Sequence, residues 1–260
     1  MEINIIKIKD GLGQNESILV PMEEPLRLKI NDREFITLMA TPMDAKELFV
    51  GFLFTEGIIK GWKDILCLDE CREGVNIEIE AETEPISLKS IIITSGCGQG
   101  VTFQKTVDDT KITTSLQARC GLISNLMKEF LTISKTTGVH AAALADSDGR
   151  ILGFKEDIGR HNAIDKVLGQ GLIKGINFED KLLLSTGRLS SEMVLKTIKA
   201  KIPILIARSC ATSMAIKWAD MAGITIVGQV KGASMNVYTH QQRIVTTQVS
   251  SSQNCRINME

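Results

Sequence analysis

Short runs of alternating apolar and polar residues dominate the first forty positions, and this period of two predicts strands over residues 2–9, 17–21, 26–30 and 35–40. The spacing then changes. In TPMDAKELFVGFLFTEGII (residues 41–59), Leu48, Phe49, Phe52 and Leu53 recur on one helical face, with Asp44 near the start and Gly57 near the stop. Two more strands are expected at 75–81 and 88–94. The second runs into SGCGQG, residues 95–100, where glycines at 96, 98 and 100 oppose regular structure and leave the backbone open to close approach.

The longest helical pattern covers residues 115–136, with Leu116, Leu122, Ile123, Leu126, Phe130 and Ile133 on one broad face. A domain boundary is expected just before it, dividing a strand-rich domain with one helix, residues 1–110, from a second domain, residues 111–260. After that helix the second domain continues with a hairpin whose turn is Ser147, Asp148 and Gly149. DIGRHNAIDKVLGQ follows as a loop entering a helix, with Ala163, Ile164, Val167 and Leu168 inward. Strand LLLST, helix MVLKTIKA, strand PILIA, helix MAIKWADMAG and strand ITIVGQV then alternate. That order predicts parallel crossover units and an α/β layered sheet with helices on its faces.

Composition narrows the function classes. Among 260 residues, 30 Lys and Arg face 31 Asp and Glu, so no broad basic field draws the chain onto nucleic acid. No run of eighteen apolar residues suggests a membrane span, and the N-terminus lacks the segments of a signal peptide, so a cytoplasmic location is expected. The six cysteines are scattered through a long chain, which predicts reduced thiols rather than a disulfide framework.

Cys97 sits between Gly96 and Gly98 after a predicted strand. Two readings are open: an exposed thiolate beside free backbone amides, suited to persulfide chemistry, or a small buried residue in a glycine turn. Zinc fails on ligand count, because Cys67 and Cys71 have no second pair nearby. A zinc deaminase also fails, since Ala141 and Ala142 follow His140 where H-x-E is needed, and ATSM follows Cys210 where a second cysteine is needed. His161, among Arg160, Asn162 and Asp165, reads by itself as part of a helix cap. Loops 186–192 and 208–213 combine Arg188 and Arg208 with small hydroxyl residues at helix N-termini, which suits an anionic group. Cys210 is a lesser candidate for a reactive thiol. The stretch VGQVKGASMNVYTH either lines a phosphate or nucleotide or turns into an edge strand.

Five segments together, TPMDAKELFVGFLFTEGII, GVHAAAL, EDIGRHNAIDKVLG, STGRLSSEMVLK and GITIVGQVKGASMNVYT, occur in order across residues 41–239. Through them the chain resembles the formate dehydrogenase accessory sulfurtransferase family. The resemblance implies a second domain similar to the cytidine deaminase fold without its zinc site. It also implies a cytoplasmic sulfurtransferase with a cysteine persulfide intermediate on Cys97. Sulfur would pass from a cysteine desulfurase to the molybdenum or tungsten bis(molybdopterin guanine dinucleotide) cofactor required by formate dehydrogenase, and the protein would be a homodimer. The implied cofactor contacts are Gln229, Val230, Lys231, Gly232, Ala233 and Ser234, with Arg160, His161 and Arg188 as further anion contacts and no metal held by the protein itself. The family loop is of the C-G-x-C-G type, whereas Gln99 and Gly100 follow Cys97 and Gly98 here, so a two-thiol relay is not evident. The rival reading is a chaperone that binds and inserts the cofactor without sulfur transfer.

Overall fold

The computed structural model describes residues 1–71, 74–79, 110–134 and 136–246. The chain opens with a hairpin, β1 (Glu2–Lys9) and β2 (Leu12–Leu19), in register over eight pairs. Asp10 and Gly11 form its turn with φ of 52° and 80°, the left-handed backbone that a tight two-residue connection requires. The strand expected at 17–21 is only the end of this longer one. Pairing with β1 carries Gln14, Asn15 and Glu16 into the ladder, although they have no apolar signal of their own.

β3 (Glu24–Ile30), β4 (Arg33–Ala40), β5 (Ile65–Cys71) and β6 (Gly74–Ile79) build a four-stranded sheet in the order β4-β3-β6-β5. The sequence pattern does not predict β5, whose largely exposed residues become an edge strand by antiparallel pairing with β6. Helix α1 (Ala45–Thr55) covers this sheet, and its Leu48, Phe49 and Leu53 are fully buried against a core that includes Leu28 and Ile77. The strand expected at 88–94 and the Cys97 loop lie outside the described residues.

The main sheet is mixed and runs β13-β12-β11-β10-β8-β9. β8 (His140–Ala145) and β9 (Ile151–Asp157) form the expected hairpin. β10 (Leu182–Ser185), β11 (Ile204–Ala207) and β12 (Thr225–Lys231) are parallel, and β13 (Ser234–Val237) returns antiparallel at the edge. Period-two alternation sends Leu183, Leu205 and Ile226 to one face and Leu184, Ile206 and Val227 to the other. Helices α3 (Arg160–Ile173), α4 (Ser191–Lys199) and α5 (Ser213–Ala222) cover the first face. Helix α2 (Cys120–Ile133) covers the second through Ile123, Leu126, Met127 and Phe130.

Helix α2 starts five residues later than the periodicity suggests. Residues 118 and 119 form β7 (Ala118–Arg119), which pairs in parallel with β14 (Ile244–Val245), and the Leu116 amide donates to Thr114 Oγ1, so the chain stays extended up to Cys120. This long-range pairing overrides local helix propensity.

α1 and α3 cross with almost no separation. A Cβ at Gly51 would lie 1.8 Å from the Asp165 carbonyl oxygen, and one at Gly169 would lie 1.9 Å from that of Glu47. Gly169→Ala must therefore push the two backbones apart. It is expected to cost about 2 kcal/mol, in the range of overpacked cores, read as a lower urea midpoint. An unchanged midpoint would contradict this crossing.

Candidate functional site

β10, β11 and β12 all end at one edge of the main sheet, where β8 begins and β9 ends. Three helices start there, α3 after Gly159, α4 after Ser190 and α5 after Thr212. Their unpaired backbone amides and positive dipole ends converge on the same side. The connecting loops brace one another. The Leu189 amide donates to the Cys210 carbonyl at 3.0 Å, the Thr212 amide to the Leu189 carbonyl at 3.0 Å, and the Gln229 amide to the Ser209 carbonyl at 2.8 Å.

The first group of polar side chains gathers at the start of α3. The Arg160 stem lies over Gly187, where a Cβ would sit 3.0 Å from Arg160 Cβ and 3.5 Å from His140 Nδ1. Gly187 thus lets the arginine and His140 meet the loop that carries Arg188. His140 Nδ1 is 3.4 Å from Thr186 Oγ1, and His161 Nε2 is 2.8 Å from Glu192 Oε2 but out of line for a hydrogen bond. Arg160 Nε, His161 Nε2 and Ser190 Oγ are buried atoms without a hydrogen-bond partner. Such groups are rare in folded proteins unless something else supplies the partner.

Burial first, then the charges of Arg160, Lys196 and His140, push the His161 pKa down to about 3. The Glu192 carboxylate acts in the opposite sense, but burial and two permanent cations outweigh it, so the imidazole is neutral at pH 7. His140 is lowered as well, first by burial and then by Arg160. A histidine whose folded pKa is depressed binds its proton only in the unfolded chain between about pH 3 and 6.5. Stability contributed this way is complete above pH 6.5 and is lost as the pH falls, by at most about 1.4 kcal/mol per pH unit. Urea denaturation at pH 7, 6 and 5 is expected to show wild type losing more stability on acidification than His161→Gln. Parallel losses would contradict the buried, neutral ring.

α3 itself is anchored by a buried ion pair. Lys166 Nζ lies 2.7 Å from Asp157 Oδ2, both side chains wholly inaccessible. Asp157 also accepts from the Thr41 and Gly159 amides and from Asn162 Nδ2, and Lys166 also donates to the Thr41 carbonyl. This network ties the entry to α1 to the start of α3, and so fixes the turn that presents Arg160 and His161.

The second group lies farther along the edge, around the β12–β13 hairpin. Gln229 has φ of 53° at a bulge, and its Oε1 accepts from Asn236 Nδ2 at 2.5 Å and Tyr238 OH at 3.4 Å. The Val230 side chain is buried in the core while its carbonyl accepts from Arg208 Nη1 at 3.1 Å. Lys231, Gly232, Ala233 and Ser234 form the exposed tip, with Gly232 at φ of 57°. Arg188 is exposed on the loop that joins the two groups. The structure therefore brings Arg160 and His161 together with His140, Thr186, Ser190 and Glu192, and places Gln229–Ser234 as a separate turn on the same edge.

His140 had a signal only as a candidate zinc ligand, and Glu192 had none, because their meeting depends on the pairing of β8 with β10 and on the start of α4. Cys210 is half-buried in the bracing loop, and Cys67 and Cys71 are exposed on β5. Among the described residues no three metal-ligating side chains come together, and no helix is long and apolar enough to cross a membrane.

The comparisons agree with one another. The chain is 38% identical over 234 residues to the sulfur carrier protein FdhD of Bacillus subtilis, covering 85% of this chain and 88% of that protein. It is 35% identical over 252 residues to the protein of the same name from Saccharolobus solfataricus, with 93% and 96% covered. A crystal structure from Desulfotalea psychrophila, provisionally described as a formate dehydrogenase accessory protein, superposes with a TM-score of 0.79 at 28% identity over 94% of this chain and 99% of that one. The model of the FdhD/NarQ family matches residues 21–245, which include both halves of the sheet edge described above, and with those relatives it places this chain in the FdhD/NarQ family.

Proposed function

We propose that the protein is a cytoplasmic sulfur carrier that takes sulfur from a cysteine desulfurase as a persulfide on Cys97. It passes that sulfur to the molybdenum or tungsten bis(molybdopterin guanine dinucleotide) cofactor destined for formate dehydrogenase. The observation that carries this reading is the match along residues 21–245 to relatives named as sulfur carriers, joined to a single cysteine set between glycines in SGCGQG. In the first step the Cys97 thiolate attacks the outer sulfur of the donor persulfide, the donor S–S bond breaks, and the donor cysteine leaves as thiolate. In the second, an electron pair of the acceptor forms the new bond to the outer sulfur and Cys97 leaves as thiolate. One thiol suffices for both steps.

The sheet edge supports the acceptor half of the reading. Three converging helix N-termini and the unpartnered Arg160 Nε and Ser190 Oγ suit the phosphates of a guanine dinucleotide, and Lys231 and Arg188 add exposed positive charge beside them. Lys231 offers a point charge rather than the planar fork of arginine. The same reading takes residues 111–260 as a cytidine-deaminase-like domain, residues 1–110 as a smaller one, and the working form as a homodimer. Gly100, where the family loop has its second cysteine, favours one alternative: a chaperone that binds and inserts the cofactor without handling sulfur.

Peptide mass spectrometry after incubation with a cysteine desulfurase and cysteine tests the proposal. A gain of about 32 Da on Cys97, reversed by a thiol reductant, is expected for one added sulfane sulfur. An unmodified Cys97 in a protein that still binds the cofactor would replace the proposal with the chaperone.

A further inference from the structure

At the opposite end of the main sheet, where β12 begins, a cavity of about 370 Å³ is lined by residues 111–117 together with Asp220, Met221, Gly223, His240, Gln242 and Arg243. None of these residues belongs to the edge described above. Arg243 is only 8% exposed, yet its guanidinium keeps its positive charge at any ordinary pH. Nη1 donates to the Gly223 carbonyl at 2.5 Å and to Thr225 Oγ1 at 3.3 Å, and Nη2 donates to the Ile112 carbonyl at 3.4 Å. The Nε–H and the second Nη2–H reach no described residue, and among the described residues no carboxylate pairs with the charge.

A buried cation held only by carbonyl and hydroxyl dipoles is an unusual arrangement, because interior charges are normally met by an opposite one. Burial works against this charge and lowers the Arg243 pKa. Asp220 also lines the cavity, but its carboxylate lies by His240 Nε2, at 3.7 Å, and forms no ion pair with Arg243. The wall formed by residues 111–117 is extended, with Ile112 and Leu116 turned into the core and Lys111, Thr113 and Ser115 exposed along the cavity. An ammonium, two hydroxyls and a guanidinium with spare donors are the groups that hold an oxyanion.

We infer that this cavity binds a small molecule through an oxyanion, phosphate or carboxylate, seated against Arg243 with Lys111 at the rim. The site is independent of the sulfur chemistry proposed for Cys97, and its test needs neither cofactor nor client enzyme.

Titration calorimetry and thermal melts of the full chain would use sodium phosphate and sodium acetate as probes, against sodium chloride at matched ionic strength. Saturable binding of one probe and a raised Tm are expected, and the probe that binds identifies the group as phosphate or carboxylate. Arg243→Gln is expected to abolish the effect. Lys111→Gln, on the exposed rim and with no fold to disturb, is expected to weaken binding roughly fivefold, as for one solvent-exposed charge contact. Lys63→Gln, an exposed cation just before β5 and outside both sites, should change nothing. The inference is overturned if neither anion binds, or if binding survives in Lys111→Gln at wild-type strength while Lys63→Gln removes it.

Discussion

Formate dehydrogenase matured with Cys97→Ala as its only sulfur carrier is expected to be inactive, although the variant folds and still binds GDP, a probe for the guanine dinucleotide end. The expectation follows from the chemistry of transfer. Alanine has no atom that can accept a sulfane sulfur, and with Gly100 at the position of the family's second cysteine no neighbouring thiol in SGCGQG can take over. Serine in place of Cys97 should fail equally, because an alkoxide is neither formed at neutral pH nor thiophilic. Guanine nucleotide binding should be unchanged, since the groups proposed to hold it lie on the edge built by α3, α4 and α5. Client activity measured after reconstitution, beside calorimetric GDP binding, separates the two functions. Full client activity with Cys97→Ala would leave only the chaperone reading.

Asp157→Ala is expected to produce the largest loss of stability among single substitutions at the candidate site, about 3–5 kcal/mol, because it strands a buried charge. Lys166 Nζ would keep its bond to the Thr41 carbonyl but lose its carboxylate, and the Thr41 and Gly159 amides and Asn162 Nδ2 would lose their acceptor. Urea denaturation at pH 7 reads the loss. Adding Lys166→Met to Asp157→Ala should recover part of it, since the second change removes the stranded charge. The ion pair also joins the entry of α1 to the first turn of α3, so Asp157→Ala should weaken GDP binding through the altered placement of Arg160 and His161. A loss below about 1 kcal/mol would mean that the pair is solvated, as surface pairs are.

Much of the fold is legible in local pattern, and the exceptions share a cause. The β8–β9 hairpin and the β10-α4-β11-α5-β12 run match their predicted order, because buried strands and amphipathic helices carry their own periodicity. β5 and the polar part of β2 have little such signal and become strands through the partners they pair with. The late start of α2 has the same origin, in the pairing of β7 with β14. At the candidate site, the loops at the strand ends and Arg160, His161 and Arg188 follow from strand order. The contribution of Gln229 and Val230 does not, since the Gln229 side chain is held by Asn236 and Tyr238 and that of Val230 faces the core.

By itself, then, the sequence determined the α/β class, the parallel crossovers and the family, because each depends on residue order and short-range spacing. Only the tertiary structure decided which charged residues are interior. Asp157, Lys166 and Arg243 look like surface residues in a chain with balanced charge, and their burial follows from elements far apart in sequence closing over them. It alone also decided that Gly51 and Gly169 meet, and that His140 and Glu192 stand beside Arg160 and His161. Contacts between distant segments are set by packing, and packing leaves no period in the chain to read.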